Sequence, residues 1–501
     1  MIVGVDIGTS VTKAQLISGD GRTTPVHEAR STVYTLPGQR VEQDLDEVVG
    51  TVETVVRAAV ADAGALGDGP VEALALTGQG DGLWLRDAAG APVGRALSWM
   101  DGRASGQLAR WNADGTFHAL HRLTGVGLFP GSAAPLLAHL AEHEPERLEA
   151  AHVAGYCVDA VVQRFTGAVT VDASDASQPF LDVATRAYND TALELCGLSA
   201  HRGLLPEPAP PGTLHRLLPE VARRLGLPAG LPVSAGPFDI PACGFGSGIS
   251  EPGEGNLIIG TTLASQVLTD VPTPAAPGPH SSTRTPGTPR PTAEPAGMLL
   301  ATPYKGLWMR VMPAMIGTAG LDWLLKMLDV KVEALDALLV QSPPGASGVT
   351  ALPFLSSSGE RAPFVDSRAR GRLDGLSPLT SRADLVRALC EAVAYSARHC
   401  METLGVSGTV TACGGGARSG EWARVFAGVL GRDLHICDDA VGIRGAAQVA
   451  WDALGTPVDA DAWRARRRTV TAERGITDHY AEGYAAYRHA LDTAREGWNT
   501  P

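Results

Sequence analysis

The sequence is poor in the features that mark several common classes. It has seven cysteines in 501 residues, at positions 157, 196, 243, 390, 400, 413 and 437, and no C-x-x-C pair. An odd, scattered set of this kind supports neither a disulfide framework nor a structural zinc site, and fits a reducing compartment. No apolar run approaches the roughly 20 residues that span a bilayer. The opening stretch, Met1-Ile2-Val3-Gly4-Val5-Asp6, meets an acid too early for a signal peptide. A soluble, cytoplasmic protein is expected. Basic charge is scarce too: 41 Lys plus Arg face 54 Asp plus Glu, a formal net charge of -13. That balance argues against nucleic acid or an anionic membrane as the main partner. A phosphate-bearing ligand held by backbone amides stays compatible with it.

What is present is enough apolar material to build cores, 44% of the chain. At roughly 150 residues per domain, the length suggests two to four domains. Ile2-Val3-Gly4-Val5 and Thr12 to Ile17 read as two strands joined by the tight turn Asp6-Ile7-Gly8-Thr9-Ser10. Gly8 admits close approach of another group, and Thr9 and Ser10 add hydroxyls and amides. Such a turn either cradles a phosphate, with Asp6 at its edge for Mg²⁺, or is an ordinary hairpin. Residues 44 to 63 form an amphipathic helix with Val48, Val52, Val55, Val56, Ala59 and Val60 on one face. The strand Val71 to Leu76 runs into Thr77-Gly78-Gln79-Gly80-Asp81-Gly82, an open loop. Its amide and carboxylate suit a hydroxyl-rich ligand; a solvated turn acid is the plainer alternative.

Leu97 to Arg103 bring Trp99, able to stack on a sugar face or to sit in a core, and Asp101 with Arg103, able to pair with each other or with a ligand. Asp172, Ser174, Asp175 and Ser177 form a polar loop whose chemistry spacing does not assign. Then comes Gly236-Pro237-Phe238-Asp239-Ile240-Pro241-Ala242-Cys243-Gly244, with one acid among small, apolar and ring residues. Asp239 is either the N-cap of the helix that follows or a base in a cleft. A domain boundary is expected here, dividing the chain into 1–235 and 236–501. Beyond it, Ile259-Gly260-Thr261-Thr262 repeats the device of Ile7-Gly8-Thr9-Ser10, about half a chain away, as two copies of one domain type would place it. Only the first copy has a carboxylate, Asp6, before its turn. Residues 271–297 are a Pro-rich insert expected to form a mobile loop. Gly317-Thr318 opens a helix, Ser381 to Asp384 is a capping-box variant, and Val410 to Cys413 is a strand leading into Gly414-Gly415-Gly416-Ala417-Arg418-Ser419.

Taken together, Asp6-Ile-Gly-Thr-Ser, Thr77-Gly-Gln-Gly-Asp-Gly, Trp99-Met-Asp-Gly-Arg, Gly236-Pro-Phe-Asp239, Gly260-Thr-Thr, Gly359-Glu-Arg-Ala-Pro and Gly414-Gly-Gly resemble the FGGY family of carbohydrate kinases over nearly the whole chain. The resemblance implies an α/β fold of two RNase H-like domains, as in actin and the Hsp70 ATPase domain, with an interdomain catalytic cleft. It implies transfer of the γ-phosphoryl of ATP to a sugar or polyol hydroxyl, with Asp239 as general base. Gly8, Thr9, Ser10, Gly260, Thr261 and Thr262 would hold the phosphates, with Lys13 adding charge. Gly317, Thr318, Gly415, Gly416 and Ser419 would lie on the adenosine side. Mg²⁺ would be held by Asp6 and Asp239. The acceptor would meet Gln79, Gly80, Asp81, Trp99, Asp101, Phe238 and Asp239. Glycerol kinases carry Arg and Glu after the loop Gln; here Gly80 and Asp81 stand there, which argues against glycerol. The string around Gln79 is most similar to erythritol kinases and somewhat to L-xylulose kinases. The resemblance thus implies a four- or five-carbon polyol or ketose, erythritol first, with L-xylulose or D-xylulose as alternatives. A non-catalytic sugar sensor on the same fold is the rival of another class. A homodimer is compatible with this reading.

Overall fold

Val3, Val5 and Ile7 alternate with Ile2 and Gly4 along the first strand, and the two sets bury against different helices. The odd set packs with Val48, Val52, Val55, Val56 and Ala59 of the helix Leu45–Ala61. That helix starts where Asp44 accepts from the amides of Asp46 and Glu47. Ile2, with Ala73 and Ala75 of the neighbouring strand, packs instead on Ile443, Ala446, Ala447 and Ala450. A strand covered on both faces reads as a continuous apolar run, which is what Ile2 to Val5 shows.

The computed structural model describes residues 1–67, 69–273, 295–356, 358–437, 440–459 and 467–498. Two sheets dominate it. The first has the order His215–Arg216, Pro232–Ala235, Ala73–Gly78, Ile2–Ile7, Val11–Ile17, His27–Arg30. The second has the order Met298–Ala301, Trp308–Ala314, Leu263–Thr269, Gly255–Ile259, Val410–Cys413, Leu434–Cys437, Arg467–Val470. Both share one plan. An antiparallel hairpin (Ile2–Ile7 with Val11–Ile17; Gly255–Ile259 with Leu263–Thr269) is flanked on its first strand by two parallel strands. The repeated G-T-[ST] turns therefore mark equivalent corners of two related lobes, and the expected two-lobed α/β architecture is what the chain adopts.

The strand Ala73–Gly78 runs two residues further than its apolar stretch suggested, because Thr77 and Gly78 pair in parallel register with Asp6 and Ile7. This register sets the Gln79 loop directly beside the first hairpin turn. The helix Arg382–Leu404 opens with the capping box of Ser381 and Asp384 and buries Leu389, Ala392, Val393, Ser396 and Cys400 in the second lobe. The expectation of a mobile insert at 271–297 falls, for 274–294, outside the described residues. Among the described residues no helix is long and apolar enough to cross a membrane.

Two helices tie the lobes together. Asp239–Gly246 leaves the first sheet after Pro232–Ala235 and heads for the second. Val441–Ala453 follows a strand of the second sheet yet covers the far face of the first. They cross at very short range. A Cβ on Gly445 would lie 1.9 Å from the Ala242 carbonyl oxygen, and one on Gly246 would lie 1.8 Å from that of Val441.

Candidate active site

Asp239 is the first residue of its helix, and the N-cap position belongs to Phe238, which makes no side-chain cap bond. The cap reading of Asp239 therefore fails. Its carboxyl is half-buried, and its pKa rises to about 8, through burial first and then through the nearby charge of Asp6. Asp6, half-buried at the end of the first strand, is pushed to about 6 by burial, against the pull of Lys13. A buried carboxyl raised further by a like charge, as Asp239 is by Asp6, is the kind of perturbed group that functional sites carry.

The acceptor side is built around the Gln79 loop. Thr9 donates its hydroxyl to Gln79 Oε1 at 2.9 Å and accepts from the Trp99 indole N–H at 2.9 Å, so hairpin turn, loop and Trp99 are bonded into one unit. Trp99 is half-buried, not a core residue. Gly80 lies against Phe238: a Cβ there would meet the ring at 2.7 Å, so bare backbone is what lets the wall close. Asp81 is not a solvated turn acid. It is 8% exposed, has a positive φ of 56°, and burial lifts its pKa to about 7, with Arg361 pulling the other way. Asp81 is close enough to Asp239 to raise it as well. Asp101 takes the internal of its two options. Its oxygens accept from the Val41 amide at 2.7 Å and from Arg103 N, Nε and Nη2, each at 2.9 Å.

The nucleotide-side residues gather around the second hairpin turn. Gly317 and Thr318 donate backbone N–H to Thr261 O and Gly260 O at 3.0 and 2.7 Å. A Cβ on Gly317 would lie 2.3 Å from Gly260 O, one on Gly414 2.6 Å from Ile259 O, and one on Gly416 2.4 Å from the Ile259 side chain. Gly415 faces open space instead, with nothing within 4 Å. These glycines leave a bare, flat backbone surface at the corner of the second sheet. Ser419 is the N-cap of Gly420–Leu430, bonding the Trp422 amide at 3.0 Å and the Asp336 carboxylate. Lys13 pairs with Glu28 at 3.0 Å on the sheet surface. Ser10 and Thr261 are exposed on their turns. Cys243, one turn after Asp239, packs against Cys413 at the foot of the glycine turn.

Three groups at the site escaped the motif reading. Asp175 is fully buried, its Oδ1 has no partner among the described residues, and its pKa is driven well up by burial and by the charges of Asp172, Asp159, Asp81 and Asp239. The dense polar run at 172–177 was the available signal. Arg361 stood in a quoted motif without a role. Gln178 had no signal at all.

No cluster of three or more His, Cys, Asp or Glu suited to a metal occurs among the described residues. The chemistry on view nevertheless fits a magnesium ion: Asp6 and Asp239 offer hard oxygen donors with excess negative charge. Mg²⁺ commonly takes one or two carboxylates and fills its other positions with water and phosphate oxygens.

Two related lobes with matching hairpin turns, and a half-buried acid on a helix that joins them, are compatible with a phosphotransferase. Residues 1–246 match the N-terminal domain of the FGGY family of carbohydrate kinases, and residues 282–454 match its C-terminal domain. The chain belongs to that family. Over 479 residues it is 31% identical to an erythritol kinase of Brucella abortus, covering 91% of this chain and 88% of that one. It is equally 31% identical over 445 residues to a xylulose kinase of Escherichia coli, covering 87% and 86%. Among solved structures, the xylulose kinase of Rhodospirillum rubrum matches with a TM-score of 0.85 at 26% identity over 99% of both chains. The chain is thus an ATP-dependent phosphotransferase acting on a sugar or polyol hydroxyl.

Proposed function

We propose that the acceptor is a neutral four- or five-carbon polyol or ketose, phosphorylated at a terminal hydroxyl, with erythritol the first to test. The observation that carries this reading is the linkage of the Gln79 loop to its neighbours: Thr9 bonds both Gln79 and Trp99, Gly80 abuts Phe238 beside Asp239, and the buried Asp81 acts on Asp239 through its charge. The erythritol kinase relative supports a polyol, and the equally similar xylulose kinase keeps L- or D-xylulose as the second reading. In this reading Asp239 takes the proton of the attacking hydroxyl. The new O–P bond forms to the γ-phosphorus as the bond to the ADP oxygen breaks. A carboxyl whose pKa lies near neutrality is suited to that exchange. Asp81 accepts from acceptor hydroxyls, and Trp99 and Phe238 shape the apolar side. Asp101 reaches the acceptor indirectly, by fixing Val41 and Arg103 next to the Trp99 segment.

The turns at Gly8 to Ser10 and Gly260 to Thr262 hold phosphate oxygens, with Lys13 contributing positive charge at longer range. Gly317, Thr318, Gly415, Gly416 and Ser419 border the adenosine. Asp6 and Asp239 would hold Mg²⁺, which when bound offsets phosphate charge. Phosphoryl transfer depends chiefly on positioning and charge stabilisation, so the fit between lobes matters as much as the base. The proposal includes the lobe boundary after Ala235, a cytoplasmic location, and a small molecule as the partner, without nucleic acid or membrane. A homodimer is left open by it.

A panel of polyols and ketoses with ATP and Mg²⁺, read by the mass of the phosphorylated product, tests the substrate class. Erythritol, or failing it a xylulose, should give the largest kcat/KM; preference for a six-carbon aldose or for glycerol would overturn the reading. Asp81→Ala should raise the KM of the best acceptor by about 10-fold or more, the worth of a hydrogen bond to a charged group, and leave the KM for ATP nearly unchanged. Equal effects on both would remove Asp81 from the acceptor pocket.

A further inference from the structure

Among the described residues, Arg361 is the cation whose charge acts on Asp81, and it reaches Asp81 from the opposite lobe. Its backbone belongs to the second lobe: its Nε donates to Pro313 O at 2.8 Å, and the preceding Glu360 accepts from the Met315 amide at 2.9 Å. Its guanidinium lies over rings of the first lobe, 4.3 Å from the centroid of Phe129 and 6.0 Å from that of Trp99. Such stacking holds the planar group without using its N–H donors. Among the described residues, neither Nη group has a hydrogen-bond acceptor, and no ion pair within 4.0 Å joins Arg361 to Asp81.

Asp81 is braced from the other side. Gln178 is 1% exposed, and its backbone carbonyl accepts from the Tyr156 hydroxyl. With its amide nitrogen turned toward the carboxylate, it donates to both Asp81 oxygens, at 2.9 and 2.6 Å. Asp81 itself sits in the left-handed region at a φ of 56°, a conformation that a non-glycine residue keeps only when its surroundings demand it. The carboxylate is thus fixed in place by Gln178, and Arg361, whose Nη groups have no acceptor among the described residues, lies near enough for its charge to act on it.

We propose that Arg361 is an acceptor-binding residue: its Nη donors and the Gln178-braced Asp81 carboxylate grip adjacent oxygens of the polyol or ketose, one as donor and one as acceptor. This rests on the phosphotransferase reading of the site and deepens it. A hydroxyl gives its proton to Asp81, and the neighbouring hydroxyl or carbonyl oxygen accepts from Arg361. The pair selects a neutral 1,2-diol or hydroxyketone, because the two protein charges balance and an acidic sugar would meet Asp81 with like charge. Since the two groups belong to different lobes, the bound acceptor itself links them. Gln178 is a positioning residue, acting through Asp81.

The test is the kinetics of Arg361→Met and Arg361→Lys with the best acceptor of the panel. Arg361→Met should raise the acceptor KM about 10- to 100-fold, as loss of charged hydrogen bonds does, and change the KM for ATP less than about threefold. It should also move the pH dependence of acceptor binding. The charged groups facing Asp81 are Arg361, which favours its ionised form, and Asp175 and Asp239, which oppose it; the Tyr156 hydroxyl lies nearby. Removing the cation raises the Asp81 pKa, so acceptor binding should weaken on acidification at a higher pH in Arg361→Met than in the wild type. Arg361→Lys keeps the charge and the stem over Phe129. It should hold the wild-type pH limb with an intermediate KM, and it serves the test if the Met variant does not fold. A wild type inactive on the whole panel removes the phosphotransferase reading and this inference together. An active wild type with an unchanged acceptor KM in both variants, or with both KM values rising alike, overturns this inference alone.

Discussion

Asp239→Asn should lower kcat by about 10²- to 10⁴-fold, the usual contribution of a positioned base, while the protein folds and binds ATP as before. The substitution keeps the shape of the side chain and removes only its ability to take a proton. Stability should move the other way. The folded-state pKa of Asp239, about 8, lies above that of an unfolded carboxyl. The folded state therefore binds its proton more tightly than the unfolded one. The stability tied to this group is full below the unfolded pKa and drains away as pH climbs through about 8. An amide has no proton to lose, and it also relieves Asp6 of a like charge. The melting midpoint of Asp239→Asn should thus equal or exceed that of the wild type at pH 8, with the gap narrowing toward pH 5. Loss of turnover without loss of stability separates a working acid from a structural one. A variant turning over within tenfold of the wild type would falsify the assignment of the base.

The physical reason why some of this was legible in the sequence lies in range. The two hairpins are local: β-branched runs on either side of a Gly and two hydroxyl residues encode their own turn, and the repeat at Gly260 disclosed the second lobe. The helix Leu45–Ala61 is local in the same sense, with its cap and its stripe both within the segment. Sequence alone leaves Asp239 between cap and base, and what separates the two is a single register step that puts Phe238 at the N-cap. Asp101 carried the same ambiguity, and its outcome depends on Val41, sixty residues away. Asp81 reads as a loop acid because it stands between two glycines in a polar turn after a strand. Its surroundings include Gln178 and Arg361, which arrive from two other stretches of chain. The helix Val441–Ala453 was the least readable element. Its periodicity says that it has apolar faces but not that it covers the sheet of the other lobe.

That crossing supports the second large effect. Gly445→Ala should destabilise the protein by about 1–3 kcal/mol or more, as overpacking of a close backbone contact does. A Cβ at this position would stand 1.9 Å from Ala242 O and 2.9 Å from Gly246 N, and neither is a flexible side-chain end that can swing aside. The helices must move apart, and one of them begins at Asp239. Displacement of a catalytic group by about 1 Å costs on the order of 10²-fold in rate, so kcat should fall even in molecules that remain folded. Gly50→Ala provides the control. Gly50 is exposed within the helix Leu45–Ala61, and a Cβ there meets nothing within 4 Å. Both substitutions restrict the unfolded chain alike and both improve helix propensity, by about 0.5–1 kcal/mol in an exposed helix interior. The same chemical change should therefore stabilise at Gly50 and destabilise at Gly445, and the difference isolates the contact between the crossing helices. Thermal melts of both variants beside the turnover of Gly445→Ala decide the matter. A melting midpoint and a kcat both at wild-type level in Gly445→Ala would mean that the crossing yields to a methyl group without moving Asp239, and that the base takes its place from the Gly236–Phe238 segment alone.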